Sequence, residues 1–310
     1  MALDLKQTPA CAGDQHVISR FDHFIAIDWS GAAGERHAGI AMAVCDANGG
    51  PPVLVERGAK WSRAEVLEIL RTDLPDNTLI GLDLGIALPF ADCGGYFPAW
   101  SESPRTAREL WALIDDICAD DPHLEAGSLV DHPDLSRYFR RHGGREGDRF
   151  HAPDAIHKRG RFRVTEEVQA DMGCKPYSNF NLVGAAQVGK SSLTGMRMLH
   201  RLRGAVPVWP IDPLPAQGSV ITEIYTGLAA IEAGRSAGRS KIRSMGELNE
   251  ALARLNSPPV AGSGAVDDHS SDALLTAAWL REVADQPYRW APKALTAKIA
   301  ATEGWTFGAF

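Results

Sequence analysis

Two stretches end apolar runs on an acid: HFIAID stops at Asp28 and NTLIGLD stops at Asp83. An unpaired carboxylate in apolar surroundings is costly, so each must meet a cation, a hydrogen-bond donor or solvent. Strand alternation puts Phe24, Ala26 and Asp28 on one face, and Leu79, Gly81 and Asp83 likewise. If these two strands are neighbours, the acids meet. Glu223, in VITEIY, is a third acid on an apolar strand. Asp268 and Asp272 stand four apart at the start of a late helical pattern, hence on one helix face. Ala273, Ala277 and Ala278 let that helix lie close to a sheet. Carboxylates converging from separate elements suit Mg²⁺ or Mn²⁺, hard cations that prefer oxygen ligands. A pair of such ions activates a water and stabilises the leaving oxygen at a phosphodiester. The expected catalytic residues are therefore Asp28, Asp83, Glu223 and Asp272, and the expected metal ligands Asp28, Asp83, Asp268 and Asp272.

Each acid also has a structural reading. Asp28 can open the Ser30-Gly31 turn and Asp83 can cap the turn after it. Glu223 can pair with an arginine, Asp267 or Asp268 can be the helix N-cap, and Asp272 gains from the helix dipole whatever its function.

A second chemistry is spelled by NLVGAAQVGKSSLTG. Gly184, Gly189, Lys190 and Ser191 fit the phosphate-loop pattern G-x-x-x-x-G-K-[ST]. A working phosphate loop leaves a buried strand and opens a helix. The helix is present in pattern, whereas SNFNLV is short and alternates with polar residues, and no N-K-x-D guanine-reading motif occurs. ATP or GTP binding at residues 184–191 is thus an alternative. The other reading of the segment is a glycine-hinged helix start that aims backbone N–H groups at a substrate phosphate. An actin-like phosphotransferase is a further alternative, encouraged by DLG at Asp83 and AGSG at 261–264, although only one copy of the strand unit is evident. A non-enzymatic interaction protein would need none of these groups.

The elements that must position the acids follow from periodicity. HFIAIDWSG, AGIAMAVCD and VLVERGAKW read as three antiparallel strands joined by short turns. A helix follows, opened by a Ser62/Glu65 capping box. NTLIGLD is a fourth strand with both faces apolar. The order is β-β-β-α-β. Residues 91–180 interrupt it with a Gly-, Pro-, Arg- and Asp-rich insertion. A helix over residues 191–203, a fifth strand at SVITEIYTG, a helix capped by Ser244 and Glu247, and the helix DDHSSDALLTAAWLREVAD complete the α/β pattern.

The segments IAIDWSGA, LIGLDLGIALP, LVGAAQVGKSSLTGMRMLHRLR, VITEIYTG, DDHSSDALLTAAWL and EGWTFG occur in order from about residue 24 to 308. Together they resemble the family catalogued as domain of unknown function 429, predicted RNase H-like nucleases. The resemblance implies an RNase H-like mixed sheet with helices on both faces and a metal-dependent carboxylate centre. It also implies that Asp28, Asp83, Glu223 and Asp272 supply the acids of its four motifs. Two departures stand near the centre: Gly85 where the family has a proline, and Thr226 after Tyr225 where it has Y-P. Both are expected to loosen turns.

Composition sets the bounds. With 310 residues, 45% hydrophobic and 23% charged, the chain suits one sizeable globular domain over residues 21–310, with residues 1–20 as a disordered leader. No apolar run spans a membrane, and the N-terminus does not read as a signal peptide. Five scattered cysteines and ten dispersed histidines give no disulfide framework or zinc spacing, which fits a reducing cytoplasm. The net charge of −7 conceals a basic stretch, Arg137 to Arg163, with nine Lys/Arg against three acids. Its arginines are interleaved with Tyr138, Phe139, Phe150 and Phe162, a mixture suited to nucleic acid or to a phosphorylated small molecule, or else to a solvated loop. Oligomeric state and substrate identity leave no mark on the sequence.

Overall fold

The structure, a computed structural model, describes residues 20–153, 159–184, 187–236 and 241–310. The expected leader, apart from Arg20, lies outside the described residues. The chain forms a mixed six-stranded sheet flanked by helices. Its strands are β1 (His23–Asp28), β2 (Ala41–Asp46), β3 (Val53–Leu54), β4 (Thr78–Asp83), β5 (Val208–Trp209) and β6 (Val220–Glu223). Their spatial order is β3-β2-β1-β4-β6-β5. The first three strands pair antiparallel, whereas β1–β4, β4–β6 and β6–β5 are parallel.

Burial on both faces explains why β1 and β4 carry continuous apolar runs. Ile25, Ile27, Ile80 and Leu82 face one core, under helices α1 (Arg63–Thr72), α2 (Ala107–Ile117) and α4 (Val188–Arg201). Phe24, Ala26 and Leu79 face the other, under α5 (Thr226–Glu232), α6 (Met245–Arg254) and α7 (Asp268–Val283). Helix α7 packs on β1 and β2. It does so through buried Ala273, Ala277 and Ala278, which let it settle close to the strands as their size suggested. Gly81 permits the same closeness at β4, where a Cβ would stand 2.7 Å from Ile224 Cγ2 and 3.0 Å from Leu280 Cδ1.

The capping signals are met in full at α1 and by half at α6. Ser62 and Glu65 form a reciprocal box at α1, and Ser244 accepts from the Glu247 N–H at α6. Asp267, not Asp268, caps α7 by accepting from the Ser270 N–H at 2.9 Å. The third expected strand is shorter than its pattern. Only Val53–Leu54 joins the sheet, while Trp61–Ser62 pairs with Arg36–His37 elsewhere. The strand Val208–Trp209 was not evident in the sequence, because Pro207 and Pro210 bracket it and proline interrupts a ladder.

The 91–180 insertion holds α2 and α3 (Val164–Asp171), with a one-turn helix at Gly127–Val130, short 3-10 turns and a small ladder between Arg140–Arg141 and Arg145–Glu146 separating them. It is a packed layer. Phe97, Trp111, Leu129, Tyr138 and Phe180 belong to the same core as Ile80 and Leu82.

Candidate active site

Asp28 and Asp83 are register partners across the parallel β1–β4 pair. Alternation sends both toward α7, because Phe24, Ala26 and Leu79 of the same parity lie in that core. The first turns of α7 come over them. His269 Nδ1 lies 2.7 Å from Asp28 Oδ2, and Asp272 follows three residues later on the same helix face. Asp28 is buried, and Asp83 and Asp272 are partly exposed.

The electrostatics are those of like charges held together. Burial, then the charges of Asp28, Asp272 and Glu223, push Asp83 well above the usual carboxylate range. Burial and the nearby Asp28 and Asp268 raise Asp272 to about 7. Burial raises Asp28 as well, opposed by the hydrogen bond and charge of His269. The same hydrogen bond raises His269. Asp83 has slight support: Thr226 Oγ1 stands 3.5 Å from Oδ2, and the Thr226 backbone N–H favours its charged form. Proline at this position would remove that N–H, so Thr226 supplies a donor where a loosened turn was expected.

Gly85 does not loosen its turn either. A Cβ there would stand 2.2 Å from Asn179 Nδ2, and its N–H donates to Ser192 Oγ at 3.1 Å. The turn after β4 is tightly packed and could not give up that N–H to a proline without losing a bond.

Glu223 is placed differently from the three aspartates. It is in register with Leu82, one residue short of Asp83, so alternation turns it toward the opposite face. There its oxygens are occupied. Arg163 Nη2 lies 2.6 Å from Oε1 and Nη1 2.8 Å from Oε2; the Ile86 N–H and the Thr306 hydroxyl also donate to it. Arg163 in turn grips Glu166, which burial nevertheless lifts to about 7. Glu303 extends the network, accepting from the Phe90, Ala91 and Val164 N–H groups at 2.7 Å each. The EGWTFG segment thus buttresses the loop after β4. Glu223 is thus paired with an arginine from the insertion, and it still lines the cleft beside Asp83. Asp268 also leaves the cluster, forming an exposed ion pair with Lys241.

A cleft of about 160 Å³ opens beside Asp83, walled by Trp29, Tyr177, Ser191 and Tyr225 and floored by Arg163 and Glu223. Among the described residues, no three Asp, Glu, His or Cys side chains stand as a ready-made metal-ligand set. The donors present still suit a hard dication in kind. Asp28, Asp83 and Asp272 offer oxygen donors, and their mutual repulsion is relieved only in part, by His269 and, at Asp272, by Lys241. His269 was absent from the sequence reading. The signal that could have found it is its i,i+3 spacing to Asp272 on the face that meets β1.

The glycine-rich segment lacks the strand that a phosphate loop requires. Among the described residues before Gly184, the β pairing is a single bridge between Asn181 and Arg140, outside the six-stranded sheet. Gly184 has φ 81°, and Gly189 lies inside α4, where a Cβ would come 2.4 Å from the Asn179 carbonyl oxygen. Lys190 is exposed, and Ser191 lines the carboxylate cleft.

The basic stretch is also largely committed to the fold. Residues 154–158 of it lie outside the described residues. Tyr138, Phe139, Phe150 and Phe162 are core residues, so these rings do not offer faces to bases as their spacing suggested. Arg137 pairs with Asp148, Arg161 with Asp92, and Arg163 with Glu166 and Glu223. No helix among the described residues is long and apolar enough to cross a membrane. No family model, no curated protein and no solved structure matches this chain.

Proposed function

We propose that the protein is a Mg²⁺- or Mn²⁺-dependent phosphodiester hydrolase of RNase H-like architecture, with Asp28, Asp83 and Asp272 holding the metal. The observation that carries this reading is the in-register pairing of Asp28 with Asp83 beneath the first turns of α7. Two carboxylates on one face of adjacent parallel strands, with a third from a helix above, concentrate negative charge at the edge of a cleft. Such a cluster has no structural benefit of its own, since each member makes the others harder to ionise. A bound dication would supply the missing countercharge and a water activated for attack, so no covalent side-chain nucleophile is required.

The protein's own part is positioning. Thr226 and the Glu223–Arg163–Glu303 network fix the ends of β4 and β6, and with them Asp83. His269 holds Asp28 in its rotamer, and Asp28 would be one of the residues to hold a dication. Trp29, Tyr177 and Tyr225 give the cleft a partly apolar wall for the group that carries the phosphodiester. The mixed sheet with helices on both faces is compatible with the RNase H-like reading, and the family resemblance remains part of this proposal.

Isothermal titration with Mn²⁺, combined with hydrolysis of bis(4-nitrophenyl) phosphate, tests the reading. Wild type should bind Mn²⁺ and turn over the diester, and Asp28→Asn should do neither. A wild type that binds no Mn²⁺ would refute it.

A further inference from the structure

The first turn of α4 serves two cavities. Ser191 lines the carboxylate cleft, while its neighbour Lys190 lines a separate cavity of about 230 Å³. The loop after β1 divides in the same way, with Trp29 in the first and Gly31 in the second. The partition between them is thin. Gly31 packs directly on the Lys190–Ser191 backbone, and a Cβ on it would stand 2.3 Å from the Lys190 carbonyl carbon. The two cavities are thus lined by consecutive residues of one helix turn, Lys190 and Ser191.

The second cavity has an apolar floor, from Leu182, Val183 and Leu193, and two cationic side chains in its lining, Lys190 and Arg141. The Lys190 ammonium makes no ion pair or hydrogen bond among the described residues. Arg141 has weak commitments, to the Val130 carbonyl at 3.5 Å and to Asp131 at 3.8 Å. Asp131 is 84% exposed at its side chain, so solvent screens that pair. The other acid of the lining, Glu125, accepts the Gly34 N–H at 2.6 Å. A site with an apolar floor and an unpaired lysine selects a ligand with a flat or aliphatic body and an anionic group. A bare inorganic anion would leave the floor unused.

We propose that this cavity is a second substrate subsite, seating the nucleotide unit adjacent to the scissile phosphodiester. Its body lies on Leu182, Val183 and Leu193, and its phosphate meets Lys190 and Arg141. This rests on the phosphodiesterase reading and narrows its substrate class to single-stranded oligonucleotides. The lysine of the phosphate-loop pattern and one arginine of the basic stretch thereby acquire a shared role that neither motif alone indicated.

The test separates binding from turnover. Fluorescently labelled single-stranded octanucleotides, of DNA and RNA in turn, are titrated with metal-free protein in EDTA, followed by anisotropy. Lys190→Ala should weaken binding about tenfold and lower the salt slope by about one, while Lys190→Arg restores both. With Mn²⁺ present, the ratio of kcat/KM for the octanucleotide over that for bis(4-nitrophenyl) phosphate should fall about tenfold in Lys190→Ala and in Arg141→Ala. Unaltered oligonucleotide binding by Lys190→Ala, or a ratio equal to wild type, overturns the subsite. Displacement of the labelled strand by AMP as readily as by an unlabelled octanucleotide also overturns it, in favour of a separate small phosphate ligand. A wild type that hydrolyses neither substrate defeats the phosphodiesterase reading instead, and the EDTA titration then decides the subsite alone.

Discussion

Asp28 and Asp83 stand side by side in register on adjacent parallel strands, and both leave the sheet on the face that α7 covers. Neither the core nor the sheet gains from this. The core would be better served by two apolar residues, and each charge makes the other more expensive. Proteins retain such arrangements at functional sites, where stability is given up for chemistry.

Neutralising one of the pair should therefore stabilise the metal-free protein while removing its activity. Asp83→Asn keeps the shape and deletes the charge that suffers most from its surroundings. Thermal unfolding in EDTA should show a rise of about 1–2 °C, the shift expected for roughly 1 kcal/mol in a chain of this size. The same variant should give no Mn²⁺ heat in calorimetry. A lowered melting temperature together with retained Mn²⁺ binding would mean that Asp83 is a structural acid.

The acid cluster also fixes how stability and metal affinity depend on pH. Asp272 titrates at about 7 in the folded protein, above the ordinary carboxylate value. Between those two values the folded state holds a proton that the unfolded state has released. In EDTA, this group's contribution to stability is therefore full below about pH 4 and lost as pH rises toward 7. Metal affinity runs the other way, because the ligand must be deprotonated. Mn²⁺ affinity should rise by up to about tenfold per pH unit per proton displaced across the same window. Asp272→Asn should flatten the EDTA stability profile there, as measured by urea unfolding at a series of pH values.

Glu223 shows where the sequence could be read and where it could not. The acids ending β1 and β4 were legible, because a long apolar run that stops at a carboxylate is a local signal. The adjacency of β1 and β4 is open in the sequence, and the parallel pairing of the two strands settles it. What no local pattern revealed was register. Glu223 lies opposite Leu82 rather than Asp83, and this single-residue offset turns its carboxylate away from the cluster and toward Arg163. The basic stretch failed for a related reason. Arginines alternating with aromatics look alike whether they face solvent or fold back. The partners that settle the matter, such as Asp92 for Arg161, lie 69 residues away in the chain. His269 escaped notice because one histidine beside several acids has no periodicity of its own.

The assignment of Glu223 to structure has its own consequence. Arg163 and Glu223 are both buried, and removing one partner of a buried ion pair strands the other. Glu223→Gln and Arg163→Met should each cost about 3–5 kcal/mol in urea unfolding. In whatever fraction stays folded at low temperature, Glu223→Gln should lower Mn²⁺ affinity far less than Asp83→Asn does. Equal losses of affinity would return Glu223 to the metal centre.

The turn after β4 offers a test of how the fold holds Asp83 in place. Gly85 lies two residues beyond that acid, and its Cα hydrogens face Asn179 and Ser192 at distances no methyl group could occupy. Asn179 cannot simply move, since its Nδ2 donates to the Ala87 carbonyl at 2.9 Å. Gly85→Ala should therefore cost about 1–3 kcal/mol through overpacking. Gly85→Pro should cost more, because it also deletes the N–H that donates to Ser192 Oγ. Part of the strain will be relieved by displacing the end of β4, so hydrolysis of the small diester should fall in Gly85→Ala at temperatures where the protein is fully folded. A protein destabilised by this amount with undiminished turnover would show that Asp83 is positioned by β4 alone and not by the turn that follows it.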